Sequence, residues 1–531
     1  MGGIPVLILK KGTERLKGKE AQSINIMAAK AVATAVKTTL GPKGMDKMLV
    51  NSTGDVVITG DGATILKEMD IEHPAAKMIV EVAKTQDEEV GDGTTTAVVL
   101  TGELLTKAEE LFDSGIHPTI VDKGYRVAAD KSKQILYSIA RDVSIDDEEL
   151  LLNIAATAIK GRDENSKTKL ARIAFKAVKT IVSDAKVDTK QIKVEKIEGG
   201  SIDDSDLVHG VVFDKERSSI DMPKRVENAN ILLLNKALEI KKTETKSKID
   251  IETPEQMASF LDEEENLLRD MVKKIEECGA NAVFCQKGID DKAAYYLAKS
   301  GIFAVKSIDE KDMKLLSRAT GAKILTDIEA ISSSDLGKAG IVEEKKIGDK
   351  KYTFVQECQN PKSVSVLLHG GAKHVIESME IAFNDALRAV SVAIEDGKYV
   401  AGGGSSEVEI ALRLREYATS LTGREQLAVN KFADSIEIIP KTLAENAGLD
   451  SMDMLVEMRS QHEKGNKNAG LNVITGKVVD TTEIGIIEPM KVKLQAINSA
   501  VEAASMILRI DDVISAAKEK PPEKTPSTGE Y

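Results

Sequence analysis

Apolar residues recur along much of the chain at intervals of three and four, the period of an amphipathic helix. Only in the middle third do they gather into short uninterrupted runs. Ile24, Met27, Ala28, Ala31, Val32, Ala35 and Val36 predict a helix ending near Leu40, where Gly41-Pro42-Lys43-Gly44 breaks it. Val6 to Leu9 reads as a short strand ahead of it. Lys47 to Val50 and Val56 to Thr59 read as two more, joined by the polar turn Asn51-Ser52-Thr53-Gly54. His73-Pro74 opens a helix that runs to about Val90. Ala97, Thr101, Leu104, Leu105, Ala108, Leu111 and Phe112 mark the next, with Gly115 as its stop.

The pattern stays helical from about Glu148 to Ser183, interrupted by the basic loop Lys160-Gly161-Arg162. It then changes texture. Ile192 to Ile197, Ile231 to Leu234, Ala282 to Gln286 and Phe303 to Lys306 read as strands, the last two alternating with helices in an α/β arrangement. A charged insert, Lys241 to Arg269, carries Ile249, Ile251, Phe260, Leu261, Leu267 and Leu268 as apolar residues expected to be exposed, and its length points to a projecting element. Val364 to Leu368 is a strand followed by Gly370-Gly371. A long helix comes next, with Met379, Ala382, Phe383, Ala386, Val390, Ala393 and Ile394 on one stripe and Asp385 off it. The remainder is mostly helical through Ile497, Ala500, Val501, Ala504, Ile507 and Leu508. A Lys/Glu/Pro tail with the composition of a disordered segment begins near Ala517.

At 531 residues the chain is too long for one core, and two to four domains are expected. Its 42% hydrophobic and 30% charged residues are those of a soluble globular protein. Aromatic residues are 3%, with no Trp, so stacking platforms for bases are few, and a net charge of −13 argues against a general nucleic-acid binder. No apolar run is long enough to span a bilayer and the N-terminus lacks a secretory pattern, so the chain reads as cytoplasmic. Cys278, Cys285 and Cys358 have no CxxC spacing and the six His fall singly, which supports neither a disulfide framework nor a zinc site.

Gly91-Asp92-Gly93-Thr94-Thr95-Thr96 is the stretch with the most chemistry. A glycine-rich entry presents backbone N–H groups at the positive end of a helix dipole, which suits a phosphate. The hydroxyls add hydrogen bonds. Asp92 would repel a bare phosphate and so implies a bridging cation such as Mg²⁺. The same six residues also read as a helix cap with tight turns. Gly60-Asp61-Gly62 is a second glycine-flanked carboxylate, and Gly402-Gly403-Gly404 allows close backbone approach. No P-loop pattern occurs.

Taken in order, Thr39-Leu40-Gly41-Pro42-Lys43-Gly44-Met45-Asp46-Lys47, Asp61-Gly62-Ala63-Thr64, Gly91 to Thr96, Gln286-Lys287-Gly288-Ile289-Asp290-Asp291, Asn384-Asp385-Ala386-Leu387, Gly402-Gly403-Gly404, Leu443-Ala444-Glu445-Asn446-Ala447-Gly448 and Leu508-Arg509-Ile510-Asp511-Asp512 resemble the group II chaperonins, the archaeal thermosomes and their eukaryotic cytosolic relatives. The resemblance covers Ile4 to Ser515. It implies a multi-domain α/β fold: a mostly helical equatorial ATPase domain (1–145 and 404–531), a small α/β intermediate domain (146–214 and 366–403), and an α/β apical domain (215–365). The apical domain would carry a helical protrusion at about 241–270 as a built-in lid.

The resemblance also implies an ATP-dependent chaperone that hydrolyses ATP with Mg²⁺. It would work in a stacked double ring of identical or paralogous subunits and enclose non-native polypeptides without a separate lid protein. Leu40, Gly41 and Pro42 would lie beside the nucleotide. Asp92 would ligate Mg²⁺, and Gly93, Thr94, Thr95 and Thr96 would cradle phosphates. Asp61 and Asp385 would orient or deprotonate the attacking water, with Asp385 as the base. Gly403 would pack on the nucleotide and Glu488 would contact its sugar or base.

The chain departs from the family pattern at three places. Gly60 stands where Asn is usual, and Arg162 where a lysine usually senses the terminal phosphate. The tail Pro521 to Tyr531 lacks a glycine- and methionine-rich ending. A ring-shaped scaffold that holds nucleotide but turns over poorly is the alternative that Gly60 and Arg162 keep open; an unrelated NTP-dependent enzyme is the third reading.

Overall fold

A computed structural model describes residues 14–50, 54, 56–240, 253–329, 331–359 and 361–515. The expected strand Val6 to Leu9, turn residues Asn51 to Thr53, Ile249, Ile251 and the tail beyond Ala517 lie outside these. The chain forms two compact units, Met1–Arg141 with Lys398–Tyr531, and Asp142–Gly397.

Unit 1 is built around the helix Thr94–Asp113. Ala97, Val98, Thr101, Leu104, Leu105, Ala108 and Leu111 are all buried, so more than one face of this helix is covered. The helices Lys19–Lys37, Pro74–Val90 and Met490–Leu508 pack against it, and their stripes of Ile26, Val32, Ile79, Ile497 and Ala504 join a single core. Small residues set the closeness of these crossings. A Cβ placed on Gly102 would stand 2.3 Å from the Cβ of Ala33. With so few aromatics, this core has among the described residues one edge-to-face pair, Tyr125 on Phe432 at 5.7 Å, and the Tyr125 hydroxyl donates to the Leu104 carbonyl at 2.8 Å.

Short antiparallel pairs decorate the bundle. The hairpin Lys47–Val50 with Val56–Thr59 forms where the alternating residues predict it, with Met48 opposite Ile58. Lys398–Ala401 pairs with Ile487–Pro489, and Ala469–Asn472 with Lys477–Asp480. Glu14–Lys17 pairs with Asp512–Ser515, closed by an Arg15–Asp512 ion pair.

Ion pairs inside the bundle are unusually buried. Glu437, at the junction of the helices Glu425–Ile436 and Ile438–Asn446, is 1% exposed. Its two oxygens accept from Arg415 at 2.8 and 2.7 Å and from Arg459 Nε at 2.7 Å, with a further Arg459 Nη2 bond. The guanidiniums hold its carboxyl below the usual range although burial pushes the other way.

In unit 2 a 7-stranded sheet runs in the order Phe303–Val305, Ala282–Cys285, Arg225–Leu234, Gly337–Ile347, Lys350–Gln356, Gly210–Phe213, with Ile324–Leu325 beside Arg225–Leu234. The first three strands are parallel, with Ala282 between Phe303 and Ile231. Ile324–Leu325 also runs parallel to Arg225–Leu234, and the remaining pairs are antiparallel. The parallel strands bury both faces, which is why Ala282–Cys285 and Phe303–Val305 are continuous apolar runs. A second sheet joins Ile192–Glu198, Val364–Gly370 and Asp206–Val208, and the helices Glu148–Ala158, Glu164–Ile181 and Lys373–Asp396 pack together.

The described part of the charged insert is the helix Pro254–Glu277, opened by a Thr253/Gln256 capping box. Phe260 and Leu267 are exposed as expected, and Met257 is exposed beside them. Leu268 is not. It stands four and seven residues before Val272 and Ile275, on the face that packs with Leu297, and is buried.

Candidate functional site

The chain reverses between the helices Pro74–Val90 and Thr94–Asp113 on two left-handed residues, Gly91 (φ 68°) and Gly93 (φ 78°). Gln86, fully buried, fixes that turn: its Nε2 donates to the Asp92 carbonyl at 2.8 Å and to the Val492 carbonyl at 3.2 Å. Only glycine fits at 93, because a Cβ there would lie 2.9 Å from Val492 Cγ1. Asp92 Oδ1 accepts the Gly93 N–H at 2.6 Å, which sets the carboxylate at the mouth of the Thr94–Asp113 helix. Thr94 and Thr95 are buried there and Thr96 is half-buried.

Asp61 arrives from a different segment. It caps the helix Gly62–Glu68, with Oδ2 accepting from the Thr64 N–H and hydroxyl, both at 2.8 Å. Its Oδ1 accepts from the Thr94 hydroxyl at 3.3 Å. Gly62 lies so close to the threonines that a Cβ would meet Thr95 Oγ1 at 2.6 Å. The two glycine-flanked carboxylates therefore converge on one helix N-terminus.

The remaining unit 1 residues form walls of the same bundle. Asn446 Nδ2 donates to the Leu40 carbonyl at 2.9 Å, and a Cβ on Gly41 (φ 82°) would meet Leu443 Cδ2 at 2.4 Å. The Leu40–Pro42 segment is thus held by the Ile438–Asn446 helix, which itself packs on Thr94–Asp113; Pro42 is exposed. Gly403 (φ 64°) accepts the Leu471 N–H at 2.9 Å and leaves 2.7 Å between its Cβ position and the Leu471 carbonyl.

Glu488 lies opposite Val400 in its strand pair, and its Oε1 is 2.9 Å from the Cβ position of Gly402. Lys493, nearly fully buried, is 2.8 Å from both Glu488 and Glu407. Burial pushes the Glu488 carboxyl up; Lys493 pulls it back, and the charges of Glu407 and Asp92 push it further. Burial opposes the Lys493 charge, yet Glu407 and Glu488 raise it above the usual lysine range.

Arg162 and Asp385 belong to unit 2. Arg162 Nη2 donates to the Ser378 hydroxyl. Ser378 and Asp385 are two turns apart on the helix Lys373–Asp396 and so share a face. Asp385 is half-buried there.

Gln86, Glu407, Lys493 and Ser378 were not singled out from the sequence. The sequence carries no signal for Lys493, which alternates with Lys491 at the start of its helix. Among the described residues no group of three or more His, Cys, Asp or Glu side chains forms a metal cage. The donors present, carboxylates and hydroxyls at a helix N-terminus, fit Mg²⁺ held by one or two carboxylates together with phosphate oxygens and water.

A model of the TCP-1/cpn60 chaperonin family matches residues 32–518. The chain is 59% identical over 519 residues to thermosome subunit beta of Archaeoglobus fulgidus, covering 97% of this chain and 95% of that one. It is 54% identical over 539 residues to a thermosome subunit of Pyrococcus horikoshii, covering 100% and 98%. Among solved structures, the open-state monomer of a group II chaperonin from Methanococcoides burtonii matches with a TM-score of 0.60 and 54% identity. That match covers 79% of this chain and all of the other.

Proposed function

The chain belongs to the TCP-1/cpn60 chaperonin family, and we propose that it hydrolyses MgATP at the helix N-terminus of unit 1 with a water-activating carboxylate supplied by unit 2. It is an ATP-dependent chaperonin subunit that works in a ring and binds unfolded protein. The observation that carries the site assignment is the Thr94–Asp61 hydrogen bond, which joins both glycine-flanked carboxylates at one dipole end.

In this reading the Gly93–Thr96 turn binds phosphates through backbone N–H groups and hydroxyls. Asp92 holds Mg²⁺, which when bound neutralises phosphate charge. Leu40, Gly41, Pro42 and Gly403 pack on the nucleotide and Glu488 contacts its sugar or base. Asp61 orients the attacking water, Asp385 takes its proton, and Arg162, steadied by Ser378, meets the terminal phosphate. Asp385 and Arg162 belong to the other unit, so in this reading hydrolysis would depend on domain closure, which would couple chemistry to a change of shape.

We further read residues 146–403, of which unit 2 includes those up to Gly397, as an intermediate domain (146–214 and 366–403) and an apical domain (215–365), with the exposed Met257, Phe260 and Leu267 on the protrusion that closes the chamber without a separate lid protein. The assembly would be a cytoplasmic double ring. No helix among the described residues is long and apolar enough to cross a membrane.

Mg²⁺-dependent ATP hydrolysis by the purified assembly tests the site. Asp385→Ala should lower turnover at least a hundredfold while nucleotide still binds, and Asp92→Ala should abolish the Mg²⁺ dependence of binding. Turnover unchanged in Asp385→Ala would remove that residue as the base.

A further inference from the structure

The helix that follows the Gly402–Gly404 loop, Ser405–Ala418, begins with a carboxylate that solvent does not reach. Glu407 is 5% exposed. Its Oε2 accepts from the Ser406 hydroxyl at 2.9 Å and its Oε1 lies 2.8 Å from Lys493 Nζ. A buried carboxylate and a buried ammonium are each costly alone and persist only as partners. Lys493 is also 2.8 Å from Glu488 Oε2, so one ammonium bridges two carboxylates, and of the three only Glu488 is appreciably open to solvent. Its other oxygen, Oε1, is the atom nearest the vacant Cβ position of Gly402. The loop and the lysine together leave the Glu488 carboxylate little freedom to turn.

That arrangement selects a kind of ligand group. A carboxylate offers acceptors and no donor, and the trio keeps an excess of negative charge, so phosphate oxygens are repelled while paired hydroxyl donors are matched. We propose that Glu407 and Lys493 are positioning residues that hold Glu488 for the two hydroxyls of a ribose, so that the site selects ribonucleotides over 2′-deoxyribonucleotides. This rests on the nucleotide reading above and adds to it the pair that sets sugar specificity. A site built to bond a hydroxyl discriminates against the analogue lacking it, because its own polar group is left unpaired.

Calorimetric titration of the assembled protein with ADP and with 2′-deoxy-ADP tests the proposal, alongside steady-state kinetics on the two triphosphates. The wild type should bind ADP at least tenfold more tightly than the deoxy analogue. In Glu407→Gln the ratio should fall below threefold, with KM for ATP raised several-fold and kcat changed less than twofold. Should Glu407→Gln fail to assemble, the double variant E407M/K493M removes both charges together and should give the same low ratio. A wild-type ratio near one, or a tenfold ratio retained in an assembled variant, overturns the positioning role while leaving the nucleotide site standing. A wild type that binds neither nucleotide overturns the nucleotide reading itself.

Discussion

Replacing Glu437 by Gln changes one atom of a buried side chain and should destabilise unit 1 severely. The carboxylate accepts four hydrogen bonds from the Arg415 and Arg459 guanidiniums. An amide keeps one acceptor oxygen and turns an NH₂ toward donors, so about two charge-assisted bonds, at about 1.5–3 kcal/mol each, are lost. Both arginines are about a third exposed and recover part of that from water, which brings the expected cost to about 3 kcal/mol, the low end for breaking a buried pair. Hydrogen exchange of the assembled protein reads this locally. Protected amides of the helices Ser405–Ala418, Glu425–Ile436 and Ser451–Glu463 should exchange roughly 150-fold faster, one decade per 1.36 kcal/mol.

The pH dependence has a definite sign. The folded carboxyl is depressed below its unfolded value, so its contribution is complete above the ordinary glutamate range and is lost as pH falls through the folded value. The variant should lack that part of the acid limb. Exchange within twofold of wild type at neutral pH would refute the reasoning. A triple variant R415M/E437L/R459M, with all three charges replaced by apolar groups, should be far less damaged than the single change.

Gly60→Asn, the residue the family resemblance leads one to expect there, should fold normally: its Cβ would meet only Asp46 Oδ1, at 2.6 Å, the tip of an exposed side chain that can swing away. A polar group restored beside Asp61 should raise ATP turnover at least twofold, and a lower rate would show that Gly60 is matched to this chain. Burial pushes the Cys358 thiol up to about 11, leaving roughly one thiolate in a thousand at pH 8. Iodoacetamide should therefore label half-buried Cys278 well before Cys358 in the native protein, and equal rates would contradict the buried placement.

Local elements were the most legible part of the chain. The hairpin Lys47–Val50 with Val56–Thr59 and the helix Pro74–Val90 stand where alternation and the His73-Pro74 start place them, because adjacent residues specify them. The stripe shows the Thr94–Asp113 helix but not its central place: burial on several faces comes from Lys19–Lys37 and Pro74–Val90 before it and from Met490–Leu508 nearly 400 residues later. Leu268 misled for the same reason, since a charged segment hides which side of its helix meets Leu297. At the site, glycine spacing pointed to Asp61 and Asp92 individually, while their meeting through Thr94 is tertiary. Glu407, Lys493 and Glu437 look like ordinary surface charges in the sequence, and only their distant partners make them interior.

The strand Glu14–Lys17 finds its partner at Asp512–Ser515, and all of unit 2 is spelled out between the two halves of unit 1. A ribosome therefore delivers every residue of unit 2 before it delivers the helix Met490–Leu508 that covers Thr94–Asp113. During that interval the first half of unit 1 must wait with its apolar stripes uncovered, the condition in which nascent chains aggregate. A protein whose family shelters unfolded chains thus passes through a long stretch of its own synthesis as one of them, and its unit 2 is the part equipped to fold first.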